Sequence, residues 1–543
     1  MDKRKKNDPA AAAAAESRTA VFHGGATLEI NPQFAKALEF IEQGKSVFIT
    51  GRAGTGKSTL LRYFLSLHSP ENSAKNIAVV APTGVAALNV SGLTIHSFFG
   101  FKPDITPDKV KKKKDKKARE PFRILDTLII DEISMVRADL LDCVDIFLRL
   151  NTGRPSKPFG GVQLVMIGDL YQLPPVVRKV EAGIFKTHYL GPFFFNAHCL
   201  KEVSFEFVEL EKIYRQRDDE FIRLLNAIRN ASITDADIEL LNKRFIPDFV
   251  PAPKDIYIHL TTTNDRADKI NEEELKKIPS REYRIQGELD GDFGREYLPT
   301  ALELSLKVGA QVMLLNNDPR GRWVNGTLAR IQRIALDEQG EVDRVTIKMA
   351  EERLEEVLPI TWEIFRYHVV EEKLLSETIG SFTQLPLRLA FAVTIHKSQG
   401  KTFERAIIDL ERGVFSHGQL YVALSRCVSM EGLLLKTKVS KKHLLLDYNV
   451  PRFLTGIRYE KASKALPLEE RVAVIEKAIK DGQKLAMVYL KADNEMSTRE
   501  ILPRWLGMME YAGTKFLGMK AYCYQRQEEV TFSVKRILEL REV

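Results

Sequence analysis

The chain has 543 residues, enough for about three to four domains with sizeable cores. Hydrophobic residues make up 44% and charged residues 28%, the balance of a globular protein in water, and no apolar run approaches the ~20 residues that a membrane helix needs. The net charge of +8 suits a polyanionic partner. Cys143, Cys199, Cys427 and Cys523 are too scattered for a disulfide framework or a zinc cluster, so a reducing, cytoplasmic compartment is expected.

In chain order, residues 1–26 read as a mobile basic and alanine-rich tail. The run Ala10 to Ala15 is too short for a signal-peptide core. The first strong element is Ser46–Thr50, an apolar β-branched and aromatic run expected as a buried strand. It leads into Gly51-Arg-Ala-Gly54-Thr55-Gly56-Lys57-Ser58, followed by the helix-forming run Thr59–Leu65. Strand, glycine loop and helix form the context of a phosphate-binding loop. The glycines let backbone N–H groups face an anion, and the helix N-terminus adds partial positive charge. Lys57 would reach the β- and γ-phosphates of ATP, and Ser58 would ligand Mg²⁺. Gly54, Thr55, Gly56 and Thr59 complete the nucleotide seat.

The segment Ala81-Pro-Thr83 through Thr94-Ile-His96-Ser-Phe98-Phe99 comes next. Lys109 to Lys117 then holds seven lysines in nine residues, a basic flap or a solvated loop. Leu128-Ile-Ile-Asp131-Glu132 reads as a strand ending in two carboxylates. A doubly wound sheet brings such strand ends to one edge. There Asp131 can hold Mg²⁺ opposite Ser58, and Glu132 can polarise the attacking water. Another apolar run, Gln163–Gly168, delivers Asp169 and Gln172 to the same edge. Gln172 carries both donor and acceptor, so it can sense the γ-phosphate without adding charge.

These segments resemble the Pif-type DNA helicases, RecD-related members of superfamily one. The stretch Pro158-Phe-Gly-Gly-Val-Gln-Leu running into Gly168-Asp-Leu-Tyr-Gln172-Leu-Pro-Pro is similar to the family's signature region. Ile213-Tyr-Arg215-Gln resembles the fourth motif, whose arginine meets the γ-phosphate. Ala392-Val-Thr-Ile-His396-Lys397-Ser398-Gln399-Gly400 resembles the fifth, which adds Gly400 to the nucleotide-binding set. Gln419 to Ser425-Arg426 resembles the sixth, with its arginine finger. Leu28-Glu-Ile-Asn-Pro-Gln33 resembles the glutamine motif that reads adenine, with a loose match around Gln33.

The resemblance covers about residues 28–450. It implies an α/β fold of two RecA-like domains with parallel sheets, at 27–208 and 209–450. It also implies a wedge-like insert at about 97–122 and an SH3-like β insert at about 285–385. Catalysis is then assigned to Lys57, Asp131, Glu132, Gln172, Arg215 and Arg426. A loose phosphoryl-transfer transition state spreads charge over the γ-oxygens, and arginines from beyond the first domain reach it only when the cleft closes. Single-stranded DNA would run across both domains, with Thr83, His96, His396, Lys397 and Ser398 as candidate contacts. Phe98 is either a base-stacking or a core residue.

Residues 451–467 read as a linker, Leu468–Lys480 as a helix, and Leu485–Leu490 and Lys520–Gln525 as strands. This C-terminal pattern over 468–543 resembles a WYL domain, an Sm-like β-barrel. The Trp-Tyr-Leu triplet is absent near Leu517-Gly518-Met519, and Val530 stands at a position that is usually basic. Arg499, Tyr522, Arg526 and Arg536 are the candidate strand-binding residues there, against a purely structural appendage. The expectation is a monomeric, nucleoid-associated bacterial helicase. It would use ATP and Mg²⁺, move 5′→3′ on single-stranded DNA, and open forked or structured DNA. An RNA-remodelling ATPase and an ATP-gated DNA-binding regulator are the alternatives.

Overall fold

Six short aliphatic runs assemble into one parallel sheet: β1 (Val47–Gly51), β2 (Ile77–Ala81), β3 (Leu93–Thr94), β4 (Thr127–Ile130), β5 (Gln163–Gly168) and β6 (Glu206–Leu210). Their order is β3-β2-β4-β5-β1-β6. The central strands are buried along their whole length, as expected when helices cover both faces of a parallel sheet. Phe34, Leu60, Leu61 and Phe64 pack from two helices onto Val47, Ile49, Val165 and Ile167. This computed structural model describes residues 18–21, 27–68, 75–178, 181–216, 218–252, 255–349, 352–410, 413–492, 495–511 and 513–543. Most of the tail expected at 1–26 lies outside them, but Arg18–Val21 is a strand paired antiparallel with Thr27–Ile30.

A second parallel sheet follows, with β7 (Ile258–Thr261), β8 (Ala392–Thr394), β9 (Ala406–Asp409) and β10 (Leu433–Leu435) in the order β8-β7-β9-β10. Between β7 and β8 the chain runs as antiparallel strands from Glu282 to Leu389, close to the expected insert. The largest of its sheets has five strands around a core of Leu306, Val312, Ala329, Ile331, Val345 and Ile347. The insert also packs on the first domain. The Tyr297 hydroxyl accepts the Thr94 N–H at 3.2 Å and donates to Ser97 Oγ at 2.5 Å. The long hairpin of Ile360–Val370 and Lys373–Gln384 reaches Asn76, whose Oδ1 accepts the Leu374 N–H at 2.6 Å.

The chain divides into two compact units: one runs to Leu225 and resumes over Ala236–His443, and the other comprises Asn226–Asp235 and Leu444–Val543. In the second, helix Leu468–Asp481 packs on a five-stranded antiparallel sheet. The stretch expected as a linker is instead largely helix, Asn449–Ala465. Its Pro451 lies in the first turn, where proline removes no intrahelical bond.

The basic run is anchored. The Lys113 N–H donates to Asn151 Oδ1 at 2.9 Å, and its ammonium lies 5.9 and 5.8 Å from the ring centres of Phe122 and Phe147. These rings belong to a cluster with Phe98, Phe99 and Phe101. Phe98 is therefore core, enclosed by Phe99, Phe122 and Tyr367, and offers no ring face to a base. Truncating the buried Phe122 to Ala should cost about 3–5 kcal/mol of stability, as such core truncations do. A denaturant midpoint shift measures that cost, and faster tryptic cleavage within Lys109–Lys117 should accompany it.

Candidate functional site

The loop after β1 enters α1 (Lys57–Leu67) through two left-handed glycines, Gly54 at φ 82° and Gly56 at φ 85°. A Cβ at Gly54 would stand 2.5 Å from Arg215 Cβ, and one at Gly56 would stand 2.9 Å from the Phe34 ring. Only glycine fits either position. Gly56 caps α1 without a side-chain bond, so the first-turn N–H groups keep their capacity for an anion. Lys57 Nζ donates to the carbonyls of Gly51 and Arg52 at 2.7 and 3.0 Å. Thr55 is buried and donates to Arg52 O at 2.9 Å, while Ser58 is exposed and Thr59 partly exposed at the helix start. Gln33 sits partly exposed on helix Pro32–Glu42. The Asn31 cap of that helix also donates to the Tyr214 hydroxyl at 3.1 Å.

β4 carries Asp131 and Glu132 to the same edge, and Glu132 is turned into the left-handed region at φ 49°. Burial raises the Asp131 carboxyl against the pull of Lys57. Burial and the adjacent Asp131 raise Glu132, with Lys57 and Arg426 opposing. Two carboxyls that ionise reluctantly are the pattern a cation relieves. β5 delivers buried Asp169, which accepts from the Tyr171 N–H and from Gln172 Nε2, both at 3.1 Å.

The second domain closes on this edge. The Tyr421 hydroxyl accepts the Ala53 N–H at 3.1 Å, and a His417 ring nitrogen lies 2.9 Å from Leu170 O. Gln216 Nε2 donates to the carbonyls of Ser425 and Cys427. Arg215 Nη1 donates to Ser425 O at 3.2 Å. Arg426 is almost wholly buried, and its guanidinium donates to Val422 O, Lys401 O and Ser425 Oγ. Among the described residues no carboxylate lies within ion-pair distance of either guanidinium. Burial, then the neighbouring Arg215, holds Arg426 down to about 9. Buried cations without a counter-charge are costly, so the pair forms a seat for an anion. Glycine cradle, ammonium, raised carboxyls and unpaired guanidiniums together fit a nucleoside triphosphate with a divalent cation. Gly400, at φ 78° and exposed, ends the turn beside it. Gln399, on the same turn, donates from Nε2 to Glu132 Oε2 at 3.0 Å. Sequence reasoning missed Gln399, Tyr421, Gln216 and His417. For Gln399, Tyr421 and Gln216 the one sequence signal was their place inside matched motifs; His417 lies just before the sixth and carried none.

Of the expected strand contacts, Thr83 is exposed, and its Oγ1 caps helix Gly84–Asn89 by accepting the Ala86 N–H. His96 is half-buried on the short helix Ile95–Phe99, and burial, then Arg137, lowers its pKa. The His396 ring stacks on exposed Phe415 with centroids 6.1 Å apart and planes 11° apart. Burial also favours its neutral form, so it presents a ring rather than a charge. Lys397 is exposed. Ser398 is not available to a strand: it is fully buried, and its Oγ donates to Ile395 O at 2.7 Å.

The C-terminal unit holds a cavity of about 360 Å³ lined by Tyr489, Lys491, Arg499, Arg526, Val530 and Phe532 among others. Arg499 and Arg526 meet there, joined by Lys491, which sequence reasoning missed. Tyr522 does not line the cavity. It alternates with buried Ala521 and Cys523, stacks edge-on with Tyr524 and lies under Arg504. Arg536 donates to Leu490 O at 3.4 Å and is likewise outside the lining. The four residues expected to share one surface are thus split.

The PIF1-like helicase family matches residues 30–239, and the WYL domain family matches residues 470–542. The ATP-dependent DNA helicase Pif1 of Bdellovibrio bacteriovorus is 34% identical over 418 residues, 75% of this chain and 87% of its own length. Human ATP-dependent DNA helicase PIF1 is 34% identical over 413 residues, 75% of this chain and 60% of its own length. The crystal structure of Bacteroides sp Pif1 in complex with ADP-AlF4 superposes with a TM-score of 0.71 at 38% identity, covering 81% of this chain and 98% of that one. Bacteroides Pif1 bound to ssDNA gives a TM-score of 0.56, covering 79% and 97%.

The glycine cradle can be tested against a matched control. Gly153 has the same φ of 82° as Gly54 but no neighbour within 4 Å. Either substitution by Ala should cost about 1–2 kcal/mol of backbone strain. Gly54→Ala should also abolish ATP hydrolysis by displacing Arg215, whereas Gly153→Ala should leave it intact. Thermal melting and a phosphate-release assay on both variants separate strain from cleft damage.

Proposed function

This chain belongs to the PIF1-like helicase family, and we propose that it is an ATP-driven DNA helicase that moves along single-stranded DNA. The observation that carries this reading is the pair of guanidiniums from beyond the first sheet that, among the described residues, lie within ion-pair distance of no carboxylate, with Arg215 set against Gly54 of the phosphate loop. Lys57, the loop amides and the first turn of α1 would hold the triphosphate. Ser58 and Asp131 would hold Mg²⁺, which neutralises phosphate charge when bound. Glu132 orients the water and accepts its proton, and Gln172 links that corner to buried Asp169. Arg215 and Arg426 stabilise charge on the γ-oxygens. Arg215 already stands against the phosphate loop, whereas Arg426 is carried by the second domain and reaches that charge only with the cleft closed.

Repeated closure and opening then advances the strand along Thr83, His96, His396 and Lys397. We read the movement as 5′→3′ and the working form as a monomer. We read the antiparallel insert as an SH3-like cover for the strand, and the C-terminal sheet as an Sm-like WYL barrel. Its cavity of Lys491, Arg499 and Arg526 is a second holding point for nucleic-acid phosphates. Among the described residues no helix is long and apolar enough to cross a membrane.

On a tailed duplex, the full chain should unwind DNA with ATP. Glu132→Gln should still bind ATP but lose turnover, and Arg426→Ala should lose DNA-stimulated turnover with little change in single-strand affinity. Equal loss of binding and turnover in Arg426→Ala would place it on the strand instead. For the C-terminal cavity, Arg499→Ala with Arg526→Ala should weaken single-strand binding. It should also flatten the slope of log affinity against log salt by about one to two, read by fluorescence anisotropy across a salt series. An unchanged slope would leave the unit a structural role.

A further inference from the structure

Gln399 has no role in the chemistry described so far, yet its amide touches the carboxylate that acts on the water. Gln399 Nε2 donates to Glu132 Oε2 at 3.0 Å across the cleft, between the second domain and the end of β4. Two features make this contact directed. Glu132 adopts the left-handed backbone at φ 49°, a conformation that costs about 1–2 kcal/mol for a residue with a Cβ, and in it the carboxylate meets the second domain. Gln399 sits in a turn whose parts are hydrogen-bonded to one another. The Ser398 N–H donates to Thr394 O at 2.9 Å, and Ser398 Oγ donates to Ile395 O at 2.7 Å. The Lys397 N–H donates to Thr394 Oγ1 at 3.3 Å, and the Gln399 N–H donates to His396 O at 3.2 Å. The same turn presents Lys397 and the His396–Phe415 stack to solvent. A force applied at Lys397 or His396 therefore reaches Gln399 through a hydrogen-bonded turn two to three residues long.

We propose that Gln399 is a positioning residue that couples strand occupancy of the 394–400 turn to the orientation of the Glu132 carboxylate. The inference rests on the reading of the chain as a DNA-stimulated ATPase. A carboxylate turns about its last torsion over a broad, two-fold well. An amide donor on Oε2 removes that freedom and leaves Oε1 as the acceptor for the attacking water. Phosphates on Lys397 and a base on the His396–Phe415 stack hold the turn where the donor reaches. With the strand gone the turn relaxes, and Glu132 spends less time aimed at the water. Gln399 moves no proton and touches no substrate in this arrangement.

The test uses the full chain and three proteins: wild type, Gln399→Met, which keeps length and volume without the donor, and Gln399→Glu, which replaces the donor with a second acceptor. The kcat and KM for ATP are measured at saturating oligo-dT, and oligo-dT affinity by anisotropy. Both variants should lose kcat on the order of ten- to a hundredfold, the usual effect of a misaimed catalytic group. KM and oligo-dT affinity should stay within about twofold, the spread expected where neither ground-state binding nor the strand contacts are touched. Gln399→Glu should be at least as impaired as Gln399→Met. A purely structural role would lower oligo-dT affinity or the melting temperature in step with kcat, and that result overturns the proposal. So does a wild-type kcat in Gln399→Met, while strand stimulation in the wild type keeps the reading beneath it. A wild type that oligo-dT does not stimulate at all removes that reading and the coupling together.

Discussion

Two guanidiniums share a buried corner in which, among the described residues, no carboxylate lies within ion-pair distance, and the cleft is organised around that imbalance. Across the phosphate loop stand Asp131 and Glu132, whose carboxyls burial pushes up. Each side lacks what the other has, but no direct ion pair joins them. Bringing them together directly would collapse the space in front of Lys57. Leaving both desolvated and apart is costly, because charges removed from water are stable only when paired. A triphosphate with its cation supplies negative charge to the arginines and positive charge to the carboxyls at once. A ligand shifts an equilibrium only by its differential affinity for the two states. On the proposed reading the differential falls on Arg426, which the second domain carries to the anion when the cleft closes. Closure thus becomes a consequence of occupancy, which is what a motor requires.

That imbalance also explains the local backbone. Gly54 must lack a Cβ because Arg215 occupies the volume a Cβ would take. Gly418 must lack one because Tyr171 O and Gln172 O lie 2.3 and 2.4 Å from the same point on it. Both contacts are between chain segments more than a hundred residues apart. The glycines are therefore marks of domain closure as much as of phosphate binding. Strain at Glu132 belongs with them, as a carboxylate turned toward the partner domain.

What was legible in the sequence follows from range. The phosphate loop, β4 with Asp131 and Glu132, and β5 with Gln172 are local patterns, and an apolar run bounded by turn residues needs no knowledge of its neighbours. The strand Leu485–Leu490 could be read to the residue for the same reason. Roles that depend on a distant neighbour were less legible. Phe98 could be assigned to the core only once Phe122 and Tyr367 were seen around it. Ser398 looked like a phosphate contact because a serine beside a lysine is polar, but its hydroxyl is taken by its own turn. Residues 451–467 read as a linker because composition changes after Pro451, and in the structure Pro451 and Gly456 are the two residues there that lower helix propensity. The first sits harmlessly in the opening turn, and the second costs only about 1 kcal/mol, which packing of the buried Val450, Leu454 and Ala462 offsets. Gln399 and Tyr421 carried no signal beyond their place in a motif, since each acts through an atom on another domain.

The insert shows the same logic at lower strength. It is tied to the first domain by a few polar contacts, Tyr297 on Thr94 and Ser97, Asn76 on the hairpin and Asn325 on Asn89, and by the Tyr367 ring on Phe98. Each such bond contributes on the order of 1 kcal/mol net. Beneath them lies a small apolar cluster of Ala81, Ala87, Phe293, Tyr297, Ile364 and Phe382. By contrast, its own core around Leu306, Val312 and Ile347 is extensive and wholly buried. The insert is therefore far more stable as a body than as a partner of the first domain. Lys401 shows where the two requirements meet. Its ammonium is buried, held down to about 8 by that burial, and donates to Asn325 Oδ1 at 2.6 Å, while its carbonyl accepts from Arg426. One residue thus joins the insert to the arginine corner, so the same buried guanidinium that needs an anion also takes part in holding the insert in register.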